Sequence, residues 1–455
     1  MTSESKQTVT IIGGGLVGSL MAIFLARRGF RVDVYERRPD MRATQISAGR
    51  SINMAMSLRG IYALGQVGVV DEVMDLAIPM RGRMLHLSEG ELKLHPYGKN
   101  ETEVIYSVSR AELNKTLITA AERYEGVRFF FHERCLTMEM ASGEVFMQNA
   151  QGETWSFTPE RIIAADGSGS AVRTALQDAG RFNFSQEYLD HGYKELIIPP
   201  GPDGTFLLEP NALHIWPRGL YMLIALPNPD GSFTCTLFFP YEGDDSFDRL
   251  SDSNQVRSFF LRQFPDAAAM IPDLADLYFA NPTGALVTVK CFPWHYQNRA
   301  LLMGDAAHAI VPFFGQGMNC GFEDCTVLDE CIGQHWPDWE RVFESFGSRR
   351  KDNADAIADM ALGNYIEMRD RVLDDAFVLQ SQLGLALEVK FPNYFIPKYS
   401  LVSFHRGSYA EALRRGKIQE EILQTLCSSL TSVEEVDWET AEKLVKVRLG
   451  KYQEG

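Results

Sequence analysis

The sequence predicts an α/β fold: a Rossmann-like nucleotide-binding domain, an inserted antiparallel β-sheet domain and a C-terminal α-helical region. Three observations predict it. A β-rich apolar run, Thr8 to Ile12, leads into Gly13-Gly14-Gly15, a helical pattern and a second strand. Short strand-like runs separated by Pro, Gly and Asn fill 190–289. Helical periodicity dominates from about Gln316 onward.

Taken in order, Leu16 to Arg28 carries apolar residues at helical spacing and ends in Arg27-Arg28-Gly29, cations followed by glycine as at a helix C-terminus. Arg31 to Tyr35 reads as the next strand, closing a βαβ unit. Ser109 with Glu112 three residues on reads as a capping box, starting a helix through about Tyr124, and Val127 to Phe131 follows as a strand. Glu160 to Ala165 and Ala300 to Met303 are buried-strand candidates. In the inserted region Phe206–Glu209, Ala212–Trp216, Tyr221–Leu226 and Phe233–Phe239 read as strands. The expected domains are 1–185 with 285–340, 186–284, and 341–455 as helices covering the site.

Composition narrows the function. At 455 residues the chain exceeds one ordinary core. A net charge of −16 repels phosphate backbones, so nucleic acid is not an expected partner. Seven cysteines, odd in number and without a C-x-x-C pair, suit reduced thiols and a cytoplasmic setting. No signal peptide, spanning window or C-terminal membrane anchor is expected, the last stretch 434–455 being charged and amphipathic. The nine histidines are scattered and no H-x-x-x-H occurs, so no metal site is expected.

Gly13, Gly15 and Gly18 form G-x-G-x-x-G. Gly13 permits a tight turn, Gly15 admits a pyrophosphate to the backbone, and Gly18 lets helix and strand pack closely. The helix N-terminus adds a positive dipole. Glu36, ending the second strand, accepts from ribose hydroxyls and disfavours a 2′-phosphate. By itself this motif leaves NAD and FAD open. Two later segments bear on the choice: Asp166-Gly167-Ser168-Gly169, and Gly304-Asp305 leading into Pro312-Phe313-Phe314-Gly315-Gln316-Gly317-Met318-Asn319. These strings resemble the fingerprints of the FAD-dependent aromatic hydroxylases of the p-hydroxybenzoate hydroxylase type.

That resemblance implies tightly bound FAD, with NADPH and O2 as co-substrates and hydroxylation through a flavin C4a-hydroperoxide. It implies cofactor contacts at Gly13, Gly15, Val17, Gly18, Glu36, Arg37, Arg38, Ala55, Arg110, Cys135, Asp166, Ala171, Asp305, Gly317, Met318 and Asn319. A helix starting near Gln316 would aim its dipole at the flavin N1/C2=O, where charge collects on reduction. No second glycine-rich strand–helix unit is present for NADPH, which then binds transiently.

Further strings resemble the branch of this family that hydroxylates L-kynurenine: Gly49-Arg50-Ser51-Ile52-Asn53, Met80-Arg81-Gly82-Arg83-Met84, Pro96-Tyr97-Gly98, His191-Gly192-Tyr193-Lys194-Glu195-Leu196, Asn364-Tyr365-Ile366-Glu367-Met368 and Phe395-Ile396-Pro397. Carried over by position, Arg83 grips the substrate carboxylate, assisted by Tyr97, Asn364 and Tyr399; a guanidinium fork suits a carboxylate. His308 and Pro312 shape the site. Phe313 either lines the ring pocket or fills the core. No residue is assigned as general acid or base. Read without the resemblance, Arg81 and Arg83 lie on one face of a strand and equally suit solvated ion pairs. Two alternatives stay open: another aromatic acid such as salicylate as substrate, and a partner-binding flavin redox protein. The C-terminal helices either cover the pocket or form a homodimer contact.

Overall fold

The structure is a computed structural model that describes residues 7–43, 53–369, 374–428 and 430–453. The string from Gly49 to Ile52 therefore lies outside the described residues.

A six-stranded sheet runs His295–Tyr296, Ala300–Leu302, Ile162–Ala164, Thr8–Ile12, Arg31–Glu36, Val127–Phe131, parallel except at its His295–Tyr296 edge. Its strands are apolar because both faces are covered, by helices and by the three-stranded sheet of Arg134–Glu139, Glu144–Gln148 and Thr154–Phe157. The helix Leu16–Arg27 and its neighbour Gly317–His335 pack there into one apolar core. Gly29, at φ +88°, ends the first helix where a side chain would be strained. The helix Arg110–Glu122 starts where expected, Ser109 Oγ accepting from Glu112 N.

The seven-stranded sheet runs Thr283–Phe292, Asn183–Ile198, Phe233–Pro240, Met222–Pro227, Ala212–Pro217, Gly82–His86, Leu92–Pro96. All neighbours are antiparallel save Ala212–Pro217 with Gly82–His86. The sheet thus recruits two strands from between the first βαβ unit and the inserted region. Its period-2 alternation sorts side chains cleanly. Leu213, Met222, Ile224, Thr236 and Phe238 face a cavity. Trp216, Leu223, Ala225, Cys235 and Leu237 face the other way, against the helices of 253–280.

Two expectations about strands fail here. Phe206–Glu209 is not a strand. Glu209 serves local turns instead: its Oε1 accepts from Asn211 N and its O accepts from the His214 ring. Arg81 and Arg83 do not share a strand face. The chain leaves the strand Ile78–Met80, in a three-stranded sheet with Asn53–Met56 and Ile105–Ser109, and enters Gly82–His86 in the seven-stranded one. Arg81 sits at that crossing and is exposed.

The C-terminal helices are Trp339–Arg369, Asp375–Lys390, Lys398–Ser403, Tyr409–Cys427 and Trp438–Leu449. Leu383, Leu387, Phe395, Ile422 and Val445 give them a core of their own. Among the described residues no helix is long and apolar enough to cross a membrane.

Candidate functional site

One cavity lies between the two large sheets and reaches from the glycine loop to Arg83 and Tyr399. At the loop end, Gly13 takes φ +107°, and a Cβ there would stand 2.4 Å from Ala165 O. Gly15 faces open space, the nearest atom to a notional Cβ being Arg38 Nη2 at 4.0 Å. The loop is thus a cradle that side chains would fill. Gly18 does not line the cavity; its Cβ would meet Gly13 O at 1.9 Å, so it serves the close packing of helix on strand.

Glu36 is held firmly in place. Its Oε2 accepts from Gly14 N at 2.8 Å, and its Oε1 accepts from Arg38 N and Nε at 2.9 and 2.8 Å. Burial opposes its ionisation, but the Arg38 contacts and Gly14 N outweigh burial and hold the carboxyl below its usual range. Val17, Arg37, Arg38, Ala55, Arg110, Cys135, Asp166, Ala171, Asp305, Gly317 and Met318 also line the cavity. Arg110 reaches it because the Ser109 cap makes it the first residue of its helix. Burial pushes the Cys135 thiol up to about 12, with Asp166 adding to it, so this sulfur is an inert wall atom. Asp166 Oδ2 accepts from Ala171 N at 2.8 Å, while its Oδ1 is buried without a partner. An orphaned acceptor in a glycine-lined cradle fits a hydroxyl-rich dinucleotide such as FAD.

At the other end, Arg83 projects from the strand Gly82–His86 to lie beside a pair of stacked aromatic rings. Its guanidinium carbon lies 5.6 Å from the Tyr97 ring centroid and 5.2 Å from that of Tyr399. The two phenols stack at 5.0 Å, and Tyr399 stacks in turn on Phe314 at 5.5 Å. Burial opposes the charge on Arg83, but Tyr97, Glu367 and Tyr399 outweigh it and the guanidinium stays charged. Burial raises both phenols above their ordinary value, so they are neutral donors. Arg83 Nη1 donates to Glu367 Oε1 at 3.3 Å, and Arg83 Nε is buried without a partner. Glu367 was missed as a site residue, though it lies one helical turn after Asn364 in Trp339–Arg369.

Between the ends, Pro312 and Phe313 line the cavity. Phe313 stacks on Tyr365 at 3.9 Å and meets Phe238 edge-on at 4.9 Å, so it both walls the cavity and packs the core. Three expected site residues stand behind this wall. Asn364 is buried and donates to Phe313 O at 2.6 Å, so its amide supports the wall. Asn319 Oδ1 accepts from Ser57 N, and its Nδ2 donates to Ala55 O and Gly315 O, both at 2.8 Å. It staples the strand carrying Ala55 to the turn before Gly317.

His308 is the third. Its Nε2 lies 2.6 Å from Asp324 Oδ2, and Arg350 Nε donates to Asp324 Oδ1 at 2.7 Å. Burial opposes protonation, yet Asp324 prevails and lifts His308 well above its ordinary value. With Cys320, these side chains bring three potential ligand atoms within 4.8 Å of one another. Arg350 also donates to Cys320 Sγ at 3.2 Å, so the trio already surrounds a fixed cation and reads as an ion cluster. His214, on the far face of the seven-stranded sheet, bonds His86 at 2.8 Å, and His86 bonds Asp266 at 2.7 Å, away from the cavity.

Comparison with known proteins follows the same outline. A family model described as an FAD binding domain matches residues 6–188 and 290–361. Kynurenine 3-monooxygenase of Myxococcus xanthus is 50% identical over 450 residues, covering 99% of this chain and 97% of that protein. The protein of the same name from Stenotrophomonas maltophilia is 46% identical, with 99% and 98% covered. Among solved structures, 2-methyl-3-hydroxypyridine-5-carboxylic acid oxygenase superposes with a TM-score of 0.66 at 19% identity, covering 84% of this chain and 98% of that one. A p-nitrophenol 4-monooxygenase from Pseudomonas putida gives 0.66 at 16%, covering 92% and 98%. At such identities these two likenesses speak for the fold.

Proposed function

This chain belongs to the kynurenine 3-monooxygenase family, and we propose that its cavity binds FAD along the glycine loop and L-kynurenine at Arg83. The reaction is hydroxylation of L-kynurenine to 3-hydroxy-L-kynurenine with NADPH and O2. The observation that carries this reading is the continuity of one cavity from the Gly13–Gly15 cradle to a charged arginine set against two neutral phenols.

FAD, when bound, supplies acceptance of reducing equivalents from NADPH and activation of O2. The chain supplies the rest. Glu36 offers carboxylate oxygens to ribose hydroxyls, and the helix starting at Gly317 presents its positive end to the cavity. Arg83 pairs with the substrate carboxylate, while Tyr97 and Tyr399 donate to it and hold its direction. Glu367 keeps Arg83 oriented toward that position. Phe238, Phe313 and Ile224 form an apolar wall that places the aromatic ring and keeps water from the reacting centre. The ring amine already activates its ortho carbon, so no side chain has to remove a proton from the substrate first. Asn364, Asn319 and His308 act at one remove, by fixing the wall and the turn before Gly317.

The cytoplasm is the compartment this reading assigns, supported by seven cysteines that are all free thiols. No observation of the cavity favours the salicylate or partner-binding alternatives. The test is anaerobic reduction of the purified flavoprotein by NADPH with and without L-kynurenine. Faster reduction with kynurenine is expected; an unchanged rate removes the substrate assignment and leaves the flavoprotein one standing.

A further inference from the structure

Tyr97 does not stand on a regular element. The strand Leu92–Pro96 ends just before it, and a turn, Tyr97-Gly98-Lys99-Asn100, carries the ring into the cavity. The backbone of this turn is fixed from two sides. Tyr97 N donates to Arg81 O at 3.0 Å, and Lys99 N donates to Glu103 Oε2 at 2.9 Å. A Cβ on Gly98 would lie 2.2 Å from Glu103 Oε2, so the turn is seated directly on that side chain. A third attachment ties the turn to the C-terminal helices. Lys99 Nζ donates to Glu388 Oε1 at 2.9 Å and lies 3.4 Å from Glu103 Oε1.

Glu388 is an unusual partner. It belongs to the helix Asp375–Lys390, it is fully buried, and its second oxygen, Oε2, is buried without a hydrogen-bond partner. It shares the packed face of its helix with Leu383 and Leu387, which belong to the core of the C-terminal helices. A lone carboxylate placed on such a face is strongly disfavoured unless a cation meets it. Burial pushes the Glu388 carboxyl above its usual range, with Lys99 working against that shift. Leu or Gln would suit the packing better, so an acid there has to be explained by what it grips. It grips the turn that carries Tyr97. Tyr399, from the neighbouring helix Lys398–Ser403, stacks on the same Tyr97 ring at 5.0 Å. The C-terminal region therefore holds Tyr97 twice, once by its ring and once through the side chain of Lys99, two residues on.

We propose that Glu388 is a positioning residue for the carboxylate subsite: through Lys99 it sets Tyr97 beside Arg83, and so tunes L-kynurenine affinity without touching substrate or flavin. The inference rests on the reading of Arg83 and Tyr97 as the carboxylate grip. It separates two tasks of the C-terminal helices. Tyr399 supplies a ring to the site, and Glu388 supplies the tension that keeps the opposite ring in register.

The test is a double-mutant cycle on the holoenzyme, with Glu388→Gln, Lys99→Met and the double variant, plus Lys99→Arg. Each neutral single variant is expected to raise the KM and Kd for L-kynurenine by about three- to tenfold, the range of coupled neighbours. FAD content and the rate of anaerobic flavin reduction at saturating kynurenine should stay near wild type. The double variant should be no worse than the worse single one, and Lys99→Arg should restore affinity, since it keeps the charge. A merely structural role would instead lower FAD content and melting temperature along with kcat, and Lys99→Arg would be no special case. Wild-type KM in both neutral single variants, or effects that multiply in the double one, overturns the proposal. Should Arg83→Ala also bind kynurenine normally, the carboxylate reading itself has failed; normal binding by the Glu388 and Lys99 variants with weak binding by Arg83→Ala sinks this inference alone.

Discussion

At the scale of single residues, the guanidinium of Arg83 carries the proposed substrate site. Arg83 is held charged by the oxygens of Tyr97, Glu367 and Tyr399, yet its Nε has no protein acceptor. Its removal should cost L-kynurenine binding about 1.5–3 kcal/mol, the scale of a hydrogen bond to a charged group. Titration of the flavin absorbance with kynurenine measures this directly, and unchanged affinity in Arg83→Ala overturns the carboxylate role. Arg83, Tyr97 and Tyr399 were legible only because their flanking strings resemble a known pattern. By residue type alone Arg83 equally suits an ion pair and the tyrosines a packed core, and the fold brings the three side chains together. Asn364 and His308 were harder. Their side chains are as polar as any ligand-binding group, and only the fold shows that Phe313 O and Asp324 already take them up. Glu367 was overlooked because an acid facing an anion-binding arginine looks wrong until the two are seen to pair.

At the scale of elements, the glycine turn and the buried ion cluster make separate predictions. Gly13 combines φ +107° with an approach of 2.4 Å between a notional Cβ and Ala165 O. Gly13→Ala should therefore lose about 2 kcal/mol or more of stability through backbone strain, and FAD content with it. Normal yield and normal flavin content on gel filtration would contradict this. In the cluster, burial disfavours the imidazolium of His308, but Asp324 raises its titration well above the ordinary 6.5. A raised folded value means the stabilisation is full below the unfolded value and fades as pH climbs through the folded one. His308→Gln should thus destabilise by about 3 kcal/mol at pH 6, as for a broken buried pair, with the gap narrowing at alkaline pH. Urea melts at several pH values check it; a gap that widens with pH is the contrary result. The helices and parallel strands were legible from periodicity and caps. Phe206–Glu209 was misread because apolar residues between Gly and Pro look like a strand, whereas local turn bonds compete for the same backbone groups. The chain's exit from one sheet into another at Arg81 left no signal, since both flanking runs are strands.

At the scale of the whole molecule, charge and cavity work in opposite senses. The protein carries −16 overall, yet Arg37, Arg38, Arg83, Arg110 and Arg134 all line one cavity. The surface discourages polyanions, while the interior gathers guanidinium groups toward both ends of the cavity, as the proposed pyrophosphate and carboxylate sites need. That cavity is walled by strands of both large sheets and by the C-terminal helices, so filling it ties together parts that otherwise meet through fewer contacts. A ligand that binds the folded state alone stabilises it by mass action, about 2.7 kcal/mol at a hundredfold excess over Kd. Stripping FAD should consequently lower the melting temperature by several degrees, at roughly 2–4 °C per kcal/mol for large domains. Re-addition of FAD should restore it in a concentration-dependent way. L-kynurenine should add a further increment to the holoprotein, and Arg83→Ala should abolish that second increment while keeping the first. Two separable increments are what a single cavity with two anion-binding ends requires. A kynurenine increment that survives Arg83→Ala would place the substrate elsewhere.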